Sequence, residues 1–290
     1  MPKWTGRNLI QVLLGVACWA ALGLAQAVET EKVTAEPDFF RPGGQDTYIA
    51  ELLQSAKDSK EDPQHAISFD VPPVVEDGGV VPISLQLNHP MEPDHYIRSI
   101  DFFDENSLIK LKAIARFSPE IGRAQLSTSI RLAKSTRLKA VAECNLHGRW
   151  LSVSPEVQVG ESGCGAAIAR PTLNFSGNIL KVKFLGRARK GKPRRINLTV
   201  KHPMESGITM EKDGKTTRSF PAFFMKDIRV FYGGNLVSEF QLGPGLSNNP
   251  VLGFNLQTDK NGPLKLKATN TEGQSFEDSI SLKGATEDFF

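Results

Sequence analysis

Hydrophobic and polar residues alternate with period two along most of the chain from residue 67 onward. Val81, Ile83, Leu85 and Leu87 interleave with Pro82, Ser84, Gln86 and Asn88, and residues 124–132 repeat the pattern through Leu126, Thr128, Ile130 and Leu132. Successive side chains on a strand point to opposite faces, so each run predicts a strand with one face buried. Further strand-like runs at 96–103, 109–117, 138–144 and 150–159 give the first half the strand spacing of a β-sandwich. The second half repeats the design at 180–185, 196–200, 224–231, 237–242, 251–257, 264–268 and 276–282, with turns at Asp213-Gly214, Gly233-Gly234-Asn235 and Asn261-Gly262-Pro263. The expected fold class is all-β: two immunoglobulin-like β-sandwich domains, 66–160 and 178–290, joined by a Gly/Cys linker at 161–177.

Two stretches depart from the alternation. Within 47–56, Tyr48, Ile49, Leu52, Leu53 and Ala56 recur at helical spacing behind Gly43-Gly44, with Asp46 placed to cap. This predicts one short helix inside an N-terminal segment, 28–65, packed on the first sandwich. Earlier still, Lys3 and Arg7 precede an apolar run at 9–24 that ends in Ala25-Gln26-Ala27. That is the form of a secretory signal peptide, 1–27, cleaved after Ala27; the run is too short and wrongly flanked for a membrane span. The rival reading, lipid attachment at Cys18, has a poorly placed glycine in Gly15-Val16-Ala17-Cys18. Export delivers the mature chain to an oxidising compartment with two cysteines, Cys144 and Cys164.

Composition adds exclusions. With 40% hydrophobic and 23% charged residues the chain is globular rather than disordered. A formal charge of +3, nearer neutral once Lys3 and Arg7 are lost, argues against nucleic acid as a partner. The charge is uneven, however: Lys181, Lys183, Arg187, Arg189, Lys190, Lys192, Arg194, Arg195 and Lys201 share a stretch without one acidic residue. Two readings fit, an electropositive patch for small anions or an acidic partner, and an edge strand guarded against sheet-to-sheet association.

The candidate chemistry centres on sulfur. Gly163 and Gly165 flank Cys164 and Gly160 precedes it, so the thiol is expected on an open, adaptable arm that can present sulfur to another protein; half of a structural disulfide is the alternative. Cys144, in Cys144-Asn145-Leu146-His147, has three readings: a redox partner of Cys164, a buried inert thiol, or a thiol that shares a metal with His147 or is activated by it. An internal repeat sets Asn88-His89-Pro90-Met91-Glu92 beside Lys201-His202-Pro203-Met204-Glu205. Proline ends strand pairing, so a duplicated corner explains the repeat, while His89 and Met91 with His95, or His202 and Met204 with Met210, would also suit soft copper. A catalytic Cys–His pair built from Cys164 and His89, His147 or His202 lacks a recognisable oxyanion element and rigid placement.

These residues resemble a known family. Val81-Pro82-Ile83-Ser84, His89-Pro90-Met91, residues 123–133, Val141-Ala142-Glu143 and the glycine-flanked cysteine resemble SoxY, the sulfur-carrier subunit of bacterial thiosulfate oxidation. Lys190-Gly191-Lys192, His202-Pro203-Met204-Glu205-Ser206-Gly207, Asp213-Gly214-Lys215 and Ser247-Asn248-Asn249-Pro250 resemble its partner SoxZ. Residues 66–283 as a whole look like a SoxY–SoxZ fusion, and the quinoprotein-dehydrogenase-associated branch is the closer resemblance.

The resemblance implies a periplasmic carrier, not an enzyme, whose Cys164 holds a sulfur intermediate covalently, with no cofactor beyond that adduct. Implied partners are a c-type cytochrome loading enzyme, a thiol hydrolase and a sulfane dehydrogenase, or a quinoprotein dehydrogenase system in which the chain is an accessory protein without sulfur cargo. In the family the arm reads Gly-Gly-Cys-Gly-Gly at a free C-terminus. Here Ser162 and Ala166 replace the outer glycines and the chain continues, so the arm reaches less far.

Overall fold

The alternating apolar positions become the buried faces of two β-sheets, seen in a computed structural model that describes residues 44–161, 178–210, 216–218 and 220–284. The larger sheet has eleven strands. Its main path runs Ala56–Asp58, Gly148–Glu161, Thr136–Cys144, Ile97–Phe103, Leu111–Phe117, Asn235–Leu242, Phe223–Tyr232, Gly262–Asn270 and Ser275–Leu282. The smaller has six: Leu180–Leu185, Pro193–Val200, Val251–Gln257, Gln125–Ile130, Val81–Gln86 and Ser68–Asp70. Val81, Ile83 and Leu85 are buried while Pro82 and Gln86 are exposed, which is the period-two reading made physical.

Each sheet takes strands from both sides of residues 162–177. Leu111–Phe117 pairs antiparallel with Asn235–Leu242 in the larger sheet, and Ser127 meets Gly253 in the smaller. One apolar cluster accordingly includes Ile83, Leu126 and Ala142 together with Leu198, Phe240 and Phe254. The described residues belong to a single compact unit. Polar contacts reinforce the junction: Arg131 Nη1 donates to the Met204 carbonyl at 2.6 Å, and the Arg195 guanidinium donates to Ser127 Oγ. A Cβ on Gly253 would collide with that guanidinium and with Ser127 Oγ, so only glycine leaves room for the contact.

The helix spans Gly44–Ser55 and buries Ile49 and Leu52 against Phe103, Leu111, Ile114 and Val141 on the larger sheet. Asp46 lies in its first turn and pairs with Lys110 at 2.5 Å, while Tyr48 Oη donates to the buried Asp101 carboxylate at 2.5 Å. No helix among the described residues is long and apolar enough to cross a membrane. The proposed signal peptide, its cleavage site and Cys18 lie outside the described residues, as do Cys164, Gly163 and Gly165.

Candidate metal centre

Five potential ligands meet where several first-half strands end. Cys144 closes the strand Thr136–Cys144, and Asn145, Leu146 and His147 form the turn into Gly148–Glu161. Gly148 takes a φ of +79°, left-handed space that glycine enters without Cβ strain, and the tight hairpin brings His147 Nδ1 to 3.5 Å from Cys144 Sγ. Asn145 then ties this turn to the neighbouring loop. Its Oδ1 accepts from the Tyr96 N–H at 2.8 Å and its Nδ2 donates to the Asp94 carbonyl at 2.8 Å. The Glu92–His95 bridge shapes that loop, so His95 enters the cluster one residue ahead of Tyr96.

His89 follows the strand Val81–Gln86 and is held by its own corner, with Nδ1 donating to the Pro90 carbonyl at 2.7 Å. His65 ends a 3₁₀ turn, Pro63–His65, whose surroundings are pinned to the sheet: Ser152 Oγ accepts from the Ile67 N–H at 2.9 Å and shares a hydrogen bond with Ser59 Oγ at 2.9 Å. His65 Nε2 lies 3.2 Å from His147 Nδ1, and the Trp150 ring stacks on His65 at 4.7 Å and 13°.

One ligand atom from each of His65, His89, His95, Cys144 and His147 lies within 4.8 Å of all the others. The chemistry of the set fits a metal. His89 Nε2 and His95 Nε2 are buried without a hydrogen-bond partner, and nitrogens left so cost stability unless a cation or another group meets them. Burial is the main cause that lowers the pKa of His65 and His89, with neighbouring imidazoles adding to it; the Asp62 carboxylate opposes the shift at His65 and the Pro90 carbonyl does so at His89. Neutral imidazole is the form that ligates. The expectation that the chain needs no cofactor is overturned by this cluster, because five soft and borderline donors converge in a half-buried site.

The sequence had raised four of these residues in two unconnected sets, His89 with His95 and Cys144 with His147. His65 was missed; the one available signal was that the chain has only five histidines and four of them precede Cys164. Of the proposed copper sets, His89 and His95 meet in the cluster. Met91 is half-buried against the core, and Met204 is fully buried there. His202 repeats the His89 corner, Nδ1 donating to the Pro203 carbonyl at 2.7 Å, but its Nε2 sits 3.2 Å from Asn270 Nδ2. The Met210 side chain lies outside the described residues. Cys144 is a buried free thiol.

Gly160 lies within the strand Gly148–Glu161, beside the parallel strand Val74–Asp77. Lys181, Lys183, Arg187, Arg189, Lys190 and Lys192 lie on the edge strand Leu180–Leu185 and the connection after it, most of them exposed. Arg194 and Arg195 are half-buried, Arg194 lying 4.7 Å over the Phe184 ring.

A β protein built on two large sheets, with a candidate His₄Cys centre, is thus the class that the fold and site define. Residues 50–164 match the family described as sulfur oxidation protein SoxY, and residues 182–281 match the family described as sulphur oxidation protein SoxZ, so the chain is SoxY/SoxZ-like with the two stretches in tandem. No curated protein matches the chain. Among solved structures, the sulfur carrier protein SoxY from Chlorobium limicola f thiosulfatophilum is 22% identical, with a TM-score of 0.32, over 40% of this chain and 94% of its own. The superoxide reductase (neelaredoxin) of Ignicoccus hospitalis is 27% identical, with a TM-score of 0.29, over 33% of this chain and 80% of its own. The reduced superoxide reductase (neelaredoxin) of Archaeoglobus fulgidus is 23% identical, with a TM-score of 0.29, over 36% and 96%.

Proposed function

We propose that the chain holds one redox-active transition-metal ion, iron foremost, on His65, His89, His95, Cys144 and His147. The observation that carries this reading is the convergence of five donor atoms within 4.8 Å. Structural zinc takes four protein ligands in a tetrahedron; a fifth donor, with imidazoles and a thiolate mixed, suits a first-row metal of higher coordination number. Bound there, the metal supplies one-electron exchange with a small ligand, and superoxide is the ligand to test. The chain's own residues favour the neutral form of His65 and His89 by burying them, aim His89 Nε2 inward through the Pro90 carbonyl, and leave the approach over His147 open to solvent. Full-length protein, stripped by chelator and titrated anaerobically with ferrous iron, is expected to bind one iron per chain. On oxidation it should develop a thiolate-to-metal absorption band that Cys144→Ser loses, and the ferrous form should consume superoxide. A folded chain that takes up no iron at micromolar concentration overturns the reading.

A second reading, favoured by the extents of the family matches, is that of an exported sulfur-compound carrier. The SoxY-type stretch runs up to Cys164 and the SoxZ-type stretch follows it. In this reading Cys164 holds a sulfur intermediate covalently for periplasmic sulfur-oxidation enzymes or a quinoprotein dehydrogenase system. Intact-mass analysis of protein from its export compartment, before and after mild reductant, is expected to show a labile sulfur adduct that maps to Cys164 and is absent from Cys164→Ser. A Cys144–Cys164 disulfide in its place overturns the carrier reading, and it also conflicts with Cys144 as a ligand.

A further inference from the structure

We infer that Asp62 is a positioning residue for the metal centre, fixing the tautomer of His65 and supplying the anionic charge behind it; this rests on the metal reading above. Asp62 divides its two carboxylate oxygens between two tasks. Oδ1 accepts from the Gln64 N–H at 3.2 Å and caps the 3₁₀ turn, while Oδ2 lies 3.0 Å from His65 Nδ1. An ionised carboxylate can only accept, so the imidazole proton sits on Nδ1 and the lone pair is left on Nε2. That is the nitrogen facing His147 Nδ1 at 3.2 Å. The Trp150 stack holds the same ring face-on, so His65 is fixed in its plane by Asp62 and across its plane by the indole.

The contrast with His89 gives Asp62 its particular role. His89 is oriented by a neutral backbone carbonyl, whereas the partner of His65 is a carboxylate, 34% exposed at its side chain. A carboxylate behind a ligating imidazole makes that ligand more electron-rich, strengthens metal binding, and favours the more highly charged oxidation state.

The competing role for Asp62 is a turn cap and nothing more. Asp62→Asn separates the two, because asparagine caps as well as aspartate but has one oxygen to give. With its carbonyl on the Gln64 N–H, its amide presents N–H to His65 Nδ1, which drives the imidazole proton onto the nitrogen that faces the cluster.

The experiment uses the full chain, titrated anaerobically with ferrous iron, and records melting temperature, iron affinity and reduction potential for wild type, Asp62→Asn and Asp62→Ser. Serine likewise keeps the cap while losing the carboxylate, and it stands in if the asparagine variant fails to fold. The expected result is a near-unchanged melting temperature of the metal-free protein, iron affinity lower by about 10- to 100-fold, and a higher reduction potential. Wild-type affinity and potential in a folded variant overturn the role of Asp62 while leaving the metal centre standing. Absence of iron binding in the wild type overturns both.

Discussion

Four of the five histidines gather around one thiol because each stands in a turn or at the end of a strand, where a side chain can lean over the rim of the sheets. Their burial has a consequence for acid stability. His65 and His89 have pKa values below the ordinary imidazole value, chiefly through desolvation, and burial lowers His202 in the same way. An unfolded histidine protonates near pH ~6.5. Below that pH the unfolded chain takes up protons that the folded one refuses, so stability is full above it and falls as pH drops toward the depressed folded values. Denaturant midpoints of the metal-free protein are expected to be flat between about pH 8 and 7 and to fall between roughly 6.5 and 5. A midpoint unchanged at the acid end would contradict the burial of these rings. At this scale the sequence was informative about residue type: His-Pro-Met and Cys-x-x-His were visible as candidates. It was silent on His65, because Asp62-Pro63-Gln64-His65 resembles any polar turn until Ser152 and Trp150 are known to flank it.

At the scale of elements, local pattern sufficed where one face of an element is buried. The strand Gln125–Ile130 alternates half-buried and buried positions throughout, and the helix stripe at Ile49 and Leu52 faces the sheet as its spacing requires. Short strands such as Ala56–Asp58 and Ser68–Asp70 escaped, since three residues carry too little periodicity to register. The helix is fastened by more than its stripe. Tyr48 donates to Asp101, a carboxylate whose pKa burial raises and whose other oxygen has no hydrogen-bond partner. Tyr48→Phe keeps the apolar ring and removes the phenol donor, and is expected to cost about 1–3 kcal/mol, read as a lower urea midpoint. Protease cutting near Gly44–Ser55 should rise with it; an unchanged midpoint would show that the pair contributes nothing net.

For the whole molecule, the decisive feature is that strands from either side of residues 162–177 share both sheets. Gly253 sits at that junction, with Arg195 and Ser127 where its Cβ would be. Gly253→Ala is expected to destabilise the chain by about 1–3 kcal/mol through overpacking, with a melting temperature lower by several degrees and iron stoichiometry retained, because the metal ligands lie elsewhere. A neutral substitution would mean that the guanidinium moves aside without cost.

The sequence by itself determined the β class, the helix near residues 47–56, most strand positions and the SoxY-then-SoxZ order, because those depend on nearest-neighbour periodicity and on short motifs read along the chain. Tertiary structure alone decided which strands pair across the halves and which histidines share a site. Pairing is a competition among many strands of similar pattern, settled by the packing of Ile83, Phe240 and Phe254 in one core. A ligand set spread over residues 65–147 likewise exists only when the backbone has brought its ends together.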